Sequence, residues 1–358
     1  MAKSKEGLRA VMAPSVRHFV MGLSVGMCLA FLVFSYVQMN YGSTKMIEVS
    51  KDGGVDGNKP MSHEEFDKSI ARANLPDVHL TVDKHMHHDD DAIARKLSEQ
   101  VRVLVWVMTS PDNLKSKARI VRDTWAKRCN KIIFFSSEDN ASFPTVGLNV
   151  PEGREHLTAK TMKGFRYVYE HHFNDADWFM KADDDTYLIV ENLRYFLSGQ
   201  NTSEPVYFGH HFKTIVKQGY YSGGGGYVLS KEALKRLGEQ GNNTKVCRQD
   251  GGAEDAELGT CMQNLGVRTA NSTDILGRSR FHCFDPETHL FGGYPDWYYQ
   301  YDANGAKKGR ESISDYAISF HYVPPEKMLS LEFYIYHLRP YGINSGEQDL
   351  NQQKRLSR

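Results

Sequence analysis

Three adjacent aspartates, Asp183, Asp184 and Asp185, directly follow a largely apolar run at residues 178–182. Such a run is typical of a buried strand, and ligand-binding carboxylates are common at strand ends in open α/β sheets. Neighbouring carboxylates repel one another unless a cation relieves them, and their hard oxygens suit Mg²⁺ or Mn²⁺. The pattern therefore predicts a metal that holds an activated phosphate compound. An acidic turn that caps the next helix is the alternative.

The segment at residues 19–37 is mostly apolar and contains no charged side chain. As a helix with a rise of about 1.5 Å per residue, it would span a thin bilayer. Basic side chains predominate before it, so the positive-inside rule predicts a cytosolic tail at 1–18, a signal anchor at 19–37 and a lumenal remainder. A cleaved signal peptide is the alternative, but no small-residue cleavage site follows the segment.

The composition beyond this segment agrees with an oxidising compartment in which proteins are glycosylated. The glycosylation sequons begin at Asn140, Asn201, Asn242 and Asn271. The cysteines beyond the anchor are Cys129, Cys247, Cys261 and Cys283. Their spacing does not match a zinc site, so structural disulfides are favoured, and three pairings stay open. Equal numbers of basic and acidic residues, 44 of each, argue against a nucleic-acid partner.

Apolar periodicity separates a tether from a folded domain. Residues 38–100 are polar and show no sustained hydrophobic pattern, which indicates a lumenal stem. From Val101 onward, strand-like and helix-like patterns alternate, at 101–109, 114–127, 131–137 and 158–173. This alternation predicts a largely parallel α/β sheet covered on both faces. We expect one catalytic domain at 101–342 and a polar tail at 343–358.

Four further features allow both a functional and a structural interpretation. The Ser-Gly-Gly-Gly-Gly run at 222–226 lets backbone approach a sugar or phosphate, but a tight turn explains it equally, and no Walker-type loop follows. Glu254 and Asp255 open an expected helix, where acidic side chains are also ordinary capping chemistry. His321 lies in a strand-like run and is either a ligand or a core residue. Trp297 belongs to an aromatic group that suits either stacking on a sugar or a core.

Six separated motifs occur in order, at 107–109, 124–131, 176–187, 230–236, 319–323 and 336–342. Together they resemble the core 1 β1,3-galactosyltransferases of the β1,3-glycosyltransferase family. The resemblance extends from about residue 101 to 342 and implies a GT-A glycosyltransferase fold with a Rossmann-like mixed sheet. It also implies the inverting transfer of galactose from UDP-galactose to the 3-hydroxyl of GalNAc α-linked to Ser or Thr on glycoproteins, with Mn²⁺ as cofactor.

The resemblance also implies roles for particular residues. Asp185 and His321 would ligate the metal, Asp255 would be the catalytic base, and Trp297 would contact the acceptor glycopeptide. Two aspartates would face the nucleotide and donor sugar, and a tyrosine would lie beside the diphosphate. The implied donor-binding residues are Thr109, Asp183, Asp184 and Tyr322. An adjacent cysteine pair expected near 312–314 is absent and Cys283 appears instead, so the disulfide pairing of the family cannot be carried over.

The implied location is the Golgi membrane, as a single-pass type II protein with its catalytic domain in the lumen. A homodimer and a dedicated chaperone are left open as partners. Three other kinds of protein compete with this interpretation. A non-catalytic chaperone paralogue is expected to lack the acidic triplet, which this chain has. A Fringe-like β1,3-glycosyltransferase would use another donor, and a carbohydrate-binding module would have no reason to keep both Asp185 and His321.

Overall fold

The computed structural model describes residues 91–341. Its helices are α1 (Ala92–Gln100), α2 (Arg119–Asp123), α3 (Leu157–His172), α4 (Val190–Leu197), α5 (Lys231–Gln240), α6 (Glu254–Asn264), α7 (Pro286–Phe291), α8 (Asp296–Tyr301) and α9 (Pro325–Tyr336). Its strands are β1 (Val103–Met108), β2 (Lys131–Ser136), β3 (Val146–Gly147), β4 (Trp178–Asp183), β5 (Tyr187–Leu188), β6 (Val206–Gly209), β7 (His211–Phe212), β8 (Tyr220–Tyr221), β9 (Tyr227–Ser230), β10 (Arg268–Thr269) and β11 (Ser319–Phe320).

The central sheet holds seven strands in the order β10-β6-β9-β4-β1-β2-β3. Strand β1 pairs in parallel with both β2 and β4, whereas β9 runs antiparallel between β4 and β6. Every residue of β1 is buried, as expected of an inner strand covered on both faces. The sheet is mixed and mostly parallel, so the predicted α/β class is confirmed.

Successive residues of β1 contribute to two cores, one on each face of the sheet. The odd-numbered residues of the strand belong to one apolar cluster and the even-numbered residues to the other. This alternation is the side-chain period of a strand. Helix α3 covers the second face, where the Trp106 and Phe165 rings meet edge-on with their centroids 5.0 Å apart. Two buried cores hold the sheet in place, and its edge is therefore a rigid platform for polar residues.

The sequence predicted one helix at 114–127, but the structure has three short helical pieces there, so the prediction of a continuous helix is wrong. A π-helical turn at Leu114–Ala118 leads into the short α2, and a 3-10 turn follows at Trp125–Arg128. At the break, the Thr124 hydroxyl donates to the carbonyl of Ile120 at 2.6 Å. Beyond it, the buried indole N–H of Trp125 donates to the carbonyl of Thr186 at 2.9 Å. Tertiary contacts of Trp125 therefore override the regular helical geometry.

The last part of the predicted stem is helical, because α1 occupies residues 92–100. Its Ala, Leu, Lys and Glu residues are good helix formers, and Leu97 packs against the first core. No helix within residues 91–341 is long and apolar enough to cross a bilayer. The predicted tail at 1–18, the anchor at 19–37 and the tail at 343–358 lie outside these residues.

One disulfide forms among the cysteines of the described residues. Cys247 and Cys261 are bonded, whereas Cys129 and Cys283 are free. Cys261 lies within α6, and Cys247 lies in the segment that precedes this helix. The bond therefore fixes the segment that leads to Glu254 and Asp255.

Candidate active site

The carboxyl end of β4 delivers the three aspartates to one edge of the sheet, as the sequence predicts. The register pairs Met108 of β1 with Asp183 of β4, so both strands end side by side. The hydroxyl of Thr109, directly after β1, donates to Asp184 Oδ2 at 2.7 Å, and Asn113 Nδ2 donates to the same oxygen at 2.9 Å. Two neutral donors therefore fix the buried Asp184 side chain.

The short antiparallel pair of β5 and β11 brings His321 to the same edge. It pairs Tyr187, just beyond the aspartates, with Phe320. His321 follows directly, and its Nε2 lies 3.3 Å from Asp185 Oδ1. The N–H of Val323 donates to the Asp185 carbonyl at 2.9 Å. Backbone pairing thus holds together two residues that are far apart in the sequence.

The residues at this edge fit a divalent metal. Asp183, Asp185 and His321 each offer one ligand atom, and these atoms lie within 4.8 Å of one another. Asp185 Oδ1 is buried and accepts no hydrogen bond from residues 91–341. His321 Nδ1 lies 3.3 Å from the Cys283 carbonyl, and a proton at Nδ1 leaves the Nε2 lone pair to a cation. The family resemblance implied Asp185 and His321 as ligands, and the structure brings Asp183 beside them.

Burial and nearby charge act in opposite directions on the two neighbouring aspartates. Burial raises the pKa of Asp184. The Lys117 ammonium, 3.7 Å away, acts to lower this pKa but does not outweigh the burial. Burial would also raise the pKa of Asp185, but His321 and Lys117 outweigh it and hold this pKa well below its usual range. Asp185 is therefore ionised, as a metal ligand must be. The raised pKa of Asp184 lessens the repulsion between the two groups.

The glycine run at 222–226 forms a loop that contacts both sides of the site. The Gly223 carbonyl accepts a hydrogen bond from Lys181 Nζ at 3.1 Å. A Cβ placed on Gly224 would lie 1.9 Å from His321 Cε1, so only glycine permits this approach. The backbone of this glycine run therefore lies close to the side chains of Lys181 and His321.

Lys181, buried inside β4, connects the metal edge to the start of α6. Its Nζ lies 2.6 Å from Asp183 Oδ1 and 3.8 Å from Glu254 Oε2. The other carboxylate oxygen of Glu254 accepts hydrogen bonds from the hydroxyls of Thr161 at 2.7 Å and Tyr227 at 2.6 Å. Glu254 is therefore occupied as a structural carboxylate.

Asp255, the second residue of α6, lines the cleft. Its carboxylate accepts hydrogen bonds from the backbone N–H groups of Gly223 at 3.3 Å and Ala256 at 2.9 Å. The helix cap is Ala253, so Asp255 is not the capping residue. Burial raises the pKa of the Asp255 carboxyl to about 6, and the charge of Glu254 adds to this shift. A half-buried carboxyl with such a pKa suits the acceptance of a proton near neutral pH.

These groups line one cleft of about 790 Å³. Every site residue predicted from the sequence lies on its wall, namely Thr109, Asp183, Asp184, Asp185, Asp255, Trp297, His321 and Tyr322. The structure therefore brings the whole predicted set together. Their individual roles as ligands, base and substrate contacts stay predictions.

The other end of the cleft is aromatic. Trp297, in α8, is half-buried and packs edge-on against Phe212 and Tyr301, at 5.8 and 5.5 Å between ring centroids. Tyr322 has a left-handed backbone, with φ of 53°, and its ring stacks on His321 at 3.8 Å. Non-glycine residues are uncommon in this conformation, and those that adopt it are concentrated at functional sites.

Some polar residues of the site were not predicted. Asn113 and Lys117 come from the broken helical segment at 111–118, where no sequence pattern marks them. Lys181 carries a usable signal, because a lysine inside an apolar strand is buried only with charged or polar partners. Its contacts with Asp183 and Glu254 supply those partners.

The chain is similar to several known glycosyltransferases. Residues 98–281 match the profile of the family described as Fringe-like. The chain is 45% identical over 273 residues to glycoprotein-N-acetylgalactosamine 3-beta-galactosyltransferase 1 of Xenopus laevis, and the matched region covers 75% of each chain. It is 31% identical over 173 residues to a beta-1,3-glucosyltransferase of Mus musculus, covering 48% of this chain and 35% of that protein. A solved structure of the galactosyltransferase LgtC with donor and acceptor sugar analogs has a TM-score of 0.35 at 11% identity, covering 66% of this chain and 98% of that one.

The family profile spans half of the chain, and the Xenopus laevis relative is matched over most of both sequences. The chain therefore belongs to the Fringe-like family of β1,3-glycosyltransferases. This membership confirms the β1,3-glycosyltransferase family that the six motifs indicate.

Proposed function

We propose that the chain is an inverting glycosyltransferase that moves galactose from UDP-galactose to the 3-hydroxyl of GalNAc α-linked to Ser or Thr on glycoproteins, with Mn²⁺ as cofactor. One observation carries this proposal: the same cleft is lined by a divalent-metal donor set and by Asp255, a half-buried carboxyl with a pKa of about 6. The choice of sugars is supported by the 45% identity to the Xenopus laevis galactosyltransferase.

The donor half of the cleft would hold UDP-galactose. Asp183, Asp185 and His321 would bind the metal, which when bound supplies Lewis-acid stabilisation for the negative charge of the departing diphosphate. Two carboxylates favour a hard divalent cation such as Mn²⁺ or Mg²⁺, and the resemblance to the family supports Mn²⁺. Asp184 and Tyr322, on the same wall, would contact the nucleotide sugar.

Asp255 would act as the general base. It accepts the proton as the O3–H bond of GalNAc breaks, the oxygen bonds to the anomeric carbon of galactose, and UDP leaves with the electron pair. A single displacement converts the α-linkage of the donor to a β-linkage, and a positioned base typically contributes about 10² to 10⁴ in rate. Glu254 is the poorer candidate, because Thr161, Tyr227 and Lys181 already occupy its carboxylate.

The acceptor would enter from the aromatic end, where Trp297 offers a ring to the sugar or peptide.

The segment at 19–37 would hold the protein in the Golgi membrane, with residues 101–342 in the lumen. The apolar segment and the basic residues before it support this orientation, and the resemblance to the family alone supports the Golgi. Protease protection of the catalytic domain in sealed Golgi vesicles would test it, and digestion without detergent would overturn it.

A transfer assay tests the activity directly. Full-length protein and Mn²⁺ are incubated with a panel of UDP-sugars, and each donor is offered a GalNAc-peptide and the same peptide without sugar. Galactose transfer to the GalNAc-peptide alone, with a β1,3 linkage by NMR, is the expected result. Absence of transfer from every donor would favour a non-catalytic paralogue. Transfer of glucose would favour the second candidate, a β1,3-glucosyltransferase, which the 31% identity to the Mus musculus protein supports.

A further inference from the structure

Ile215 combines three features that are unusual in one residue. Its backbone is left-handed, with φ of 63°. It is 68% exposed, and it lies on the wall of the cleft. A left-handed backbone is strongly disfavoured for a β-branched residue, because its Cβ crowds the neighbouring carbonyl. Burial in a core does not explain this arrangement, because the side chain faces solvent.

The loop around Ile215 is held firmly on both sides. The N–H of Val216 donates to the Thr214 carbonyl at 2.6 Å, which closes a three-residue turn around Ile215. The N–H of Lys213 donates to the Tyr301 carbonyl at 2.8 Å, and Val216 is buried in the aromatic cluster of the cleft. Strained residues persist where their surroundings fix them. The loop therefore fixes the backbone from which the exposed Ile215 side chain projects, and the branched Cβ limits its rotamers.

A row of rings connects this loop to the proposed base. Gly259 of α6 lies against Tyr220, since a Cβ added there would be 2.4 Å from Tyr220 Cβ. Asp255 lies one turn earlier on the same helix face. Tyr220 packs edge-on against Phe212 at 5.5 Å, and Phe212 packs against Trp297 at 5.8 Å. Phe212 directly precedes the loop that carries Ile215. Ile215 thus lies at the acceptor end of the cleft, on the wall that leads away from Asp255.

We propose that Ile215 is a specificity-determining residue, which receives an apolar side chain of the acceptor peptide next to the glycosylated Ser or Thr. This inference rests on the proposed function. When the sugar hydroxyl reaches Asp255, the peptide that carries the sugar must cross the rim of the cleft. A fixed, exposed apolar side chain binds an apolar partner with little loss of conformational freedom. A strained turn at this rim then contributes to recognition.

The test uses Ile215→Gly and Ile215→Asn, because both glycine and asparagine tolerate a left-handed backbone. The matched control is Ile275→Gly, since Ile275 is 59% exposed and is not among the residues of the cleft. Full-length proteins are assayed with UDP-galactose on two acceptors: a GalNAc-peptide with valine on both sides of the sugar-bearing threonine, and GalNAc linked to a single threonine. The readout is the ratio of kcat/KM for the peptide to kcat/KM for the single amino acid.

Both Ile215 variants should lower this ratio about tenfold, which corresponds to about 1.4 kcal/mol, and Ile275→Gly should leave it unchanged. Removal of the strain should also raise the Tm of Ile215→Gly by a few degrees. An unchanged ratio in both variants would overturn the inference, whatever the Tm does. If the wild-type protein transfers no galactose, the proposed function fails. Calorimetric binding of the same valine peptide to wild type and variants, with UDP and Mn²⁺, then decides on Ile215 separately.

Discussion

Replacement of Asp255 by asparagine separates catalysis from folding, because the two readouts should move in opposite directions. Gly223 and Ala256 donate to different oxygens of Asp255, at 3.3 and 2.9 Å. The single amide oxygen of asparagine can keep the shorter bond from Ala256, so the start of α6 should be retained while the longer bond from Gly223 is lost. The variant keeps the size of the side chain and removes its charge, and with it the capacity to take up a proton at neutral pH. Affinities for Mn²⁺, UDP-galactose and glycopeptide should therefore stay near the wild-type values.

Turnover should fall by at least about 10²-fold, the usual contribution of a positioned general base. The wild-type enzyme should also lose activity in acid, because Asp255 with a pKa of about 6 must be ionised to act. Below pH 6, kcat/KM should decline about tenfold per pH unit, and the residual activity of Asp255→Asn should lack this decline.

Stability should change in the other direction. Burial raises the pKa of Asp255 from 3.8 to about 6, so the folded protein binds a proton more tightly than the unfolded chain. The resulting cost of ionisation grows as the pH rises from about 4 to 6 and is fully present above pH 6. At about 1.4 kcal/mol per pKa unit it reaches at most about 3 kcal/mol. Solvent screening of the half-buried group and the lost interaction with the helix dipole reduce the expected gain to about 1 kcal/mol.

The assays are initial rates from pH 5 to 8 and urea unfolding at pH 4 and 7.5. Asp255→Asn should be more stable than the wild type at pH 7.5 and equally stable or slightly weaker at pH 4. Glu257→Gln is the matched control, because Glu257 lies on the same turn of α6 but not among the residues of the cleft. It should leave turnover unchanged. Near-normal turnover in Asp255→Asn would refute the assignment of the base.

Three further substitutions probe other parts of the structure. His321→Ala should abolish Mn²⁺-dependent UDP binding in calorimetry, since one of three ligands is lost; unchanged Mn²⁺ affinity would sink the metal assignment. Trp297→Ala should raise the KM for glycopeptide more than tenfold with little effect on UDP-galactose, because aromatic anchors concentrate about 2 kcal/mol or more; a collapse in Tm would instead show that its packing on Phe212 dominates. Glu332→Gln should lower the free energy of unfolding by about 2 kcal/mol, because it removes the negative charge and one of the two oxygens that accept hydrogen bonds from Arg128; a loss below about 0.5 kcal/mol in urea titrations would contradict this expectation.

The parts of the site that could be predicted from sequence depend on neighbours along the chain. The aspartates follow their strand directly, so their position at the sheet edge comes from a local pattern. Asp255 at the start of α6 is equally local. His321 and Trp297 needed the resemblance to a known family, because each lies in a short element without strong periodicity.

The parts that could not be predicted depend on contacts between distant segments. The role of Lys181 is fixed by Gly223 and Glu254, which reach it only in the folded sheet. The apolar spacing at 114–127 is real, since Leu114 and Trp125 are buried. The break between them is set by tertiary contacts, which periodicity does not report. Cysteine spacing likewise did not distinguish the pair of Cys247 and Cys261, because the packing of α6 decides it.

Because β5 pairs with β11, a metal bound at this site would also affect the stability of the fold. Asp185 and His321 are well over a hundred residues apart in sequence. Their surroundings are joined by the two-residue strands β5 and β11 and by the hydrogen bond from the Val323 N–H to the Asp185 carbonyl. A cation shared by these two side chains would act as a removable cross-link across that length. Closing a loop of about 100 residues with a covalent bond restricts the unfolded chain by about 4.7 kcal/mol, an upper bound for a reversible link. Binding of the ion would then stabilise the folded chain against unfolding, independently of any effect on turnover.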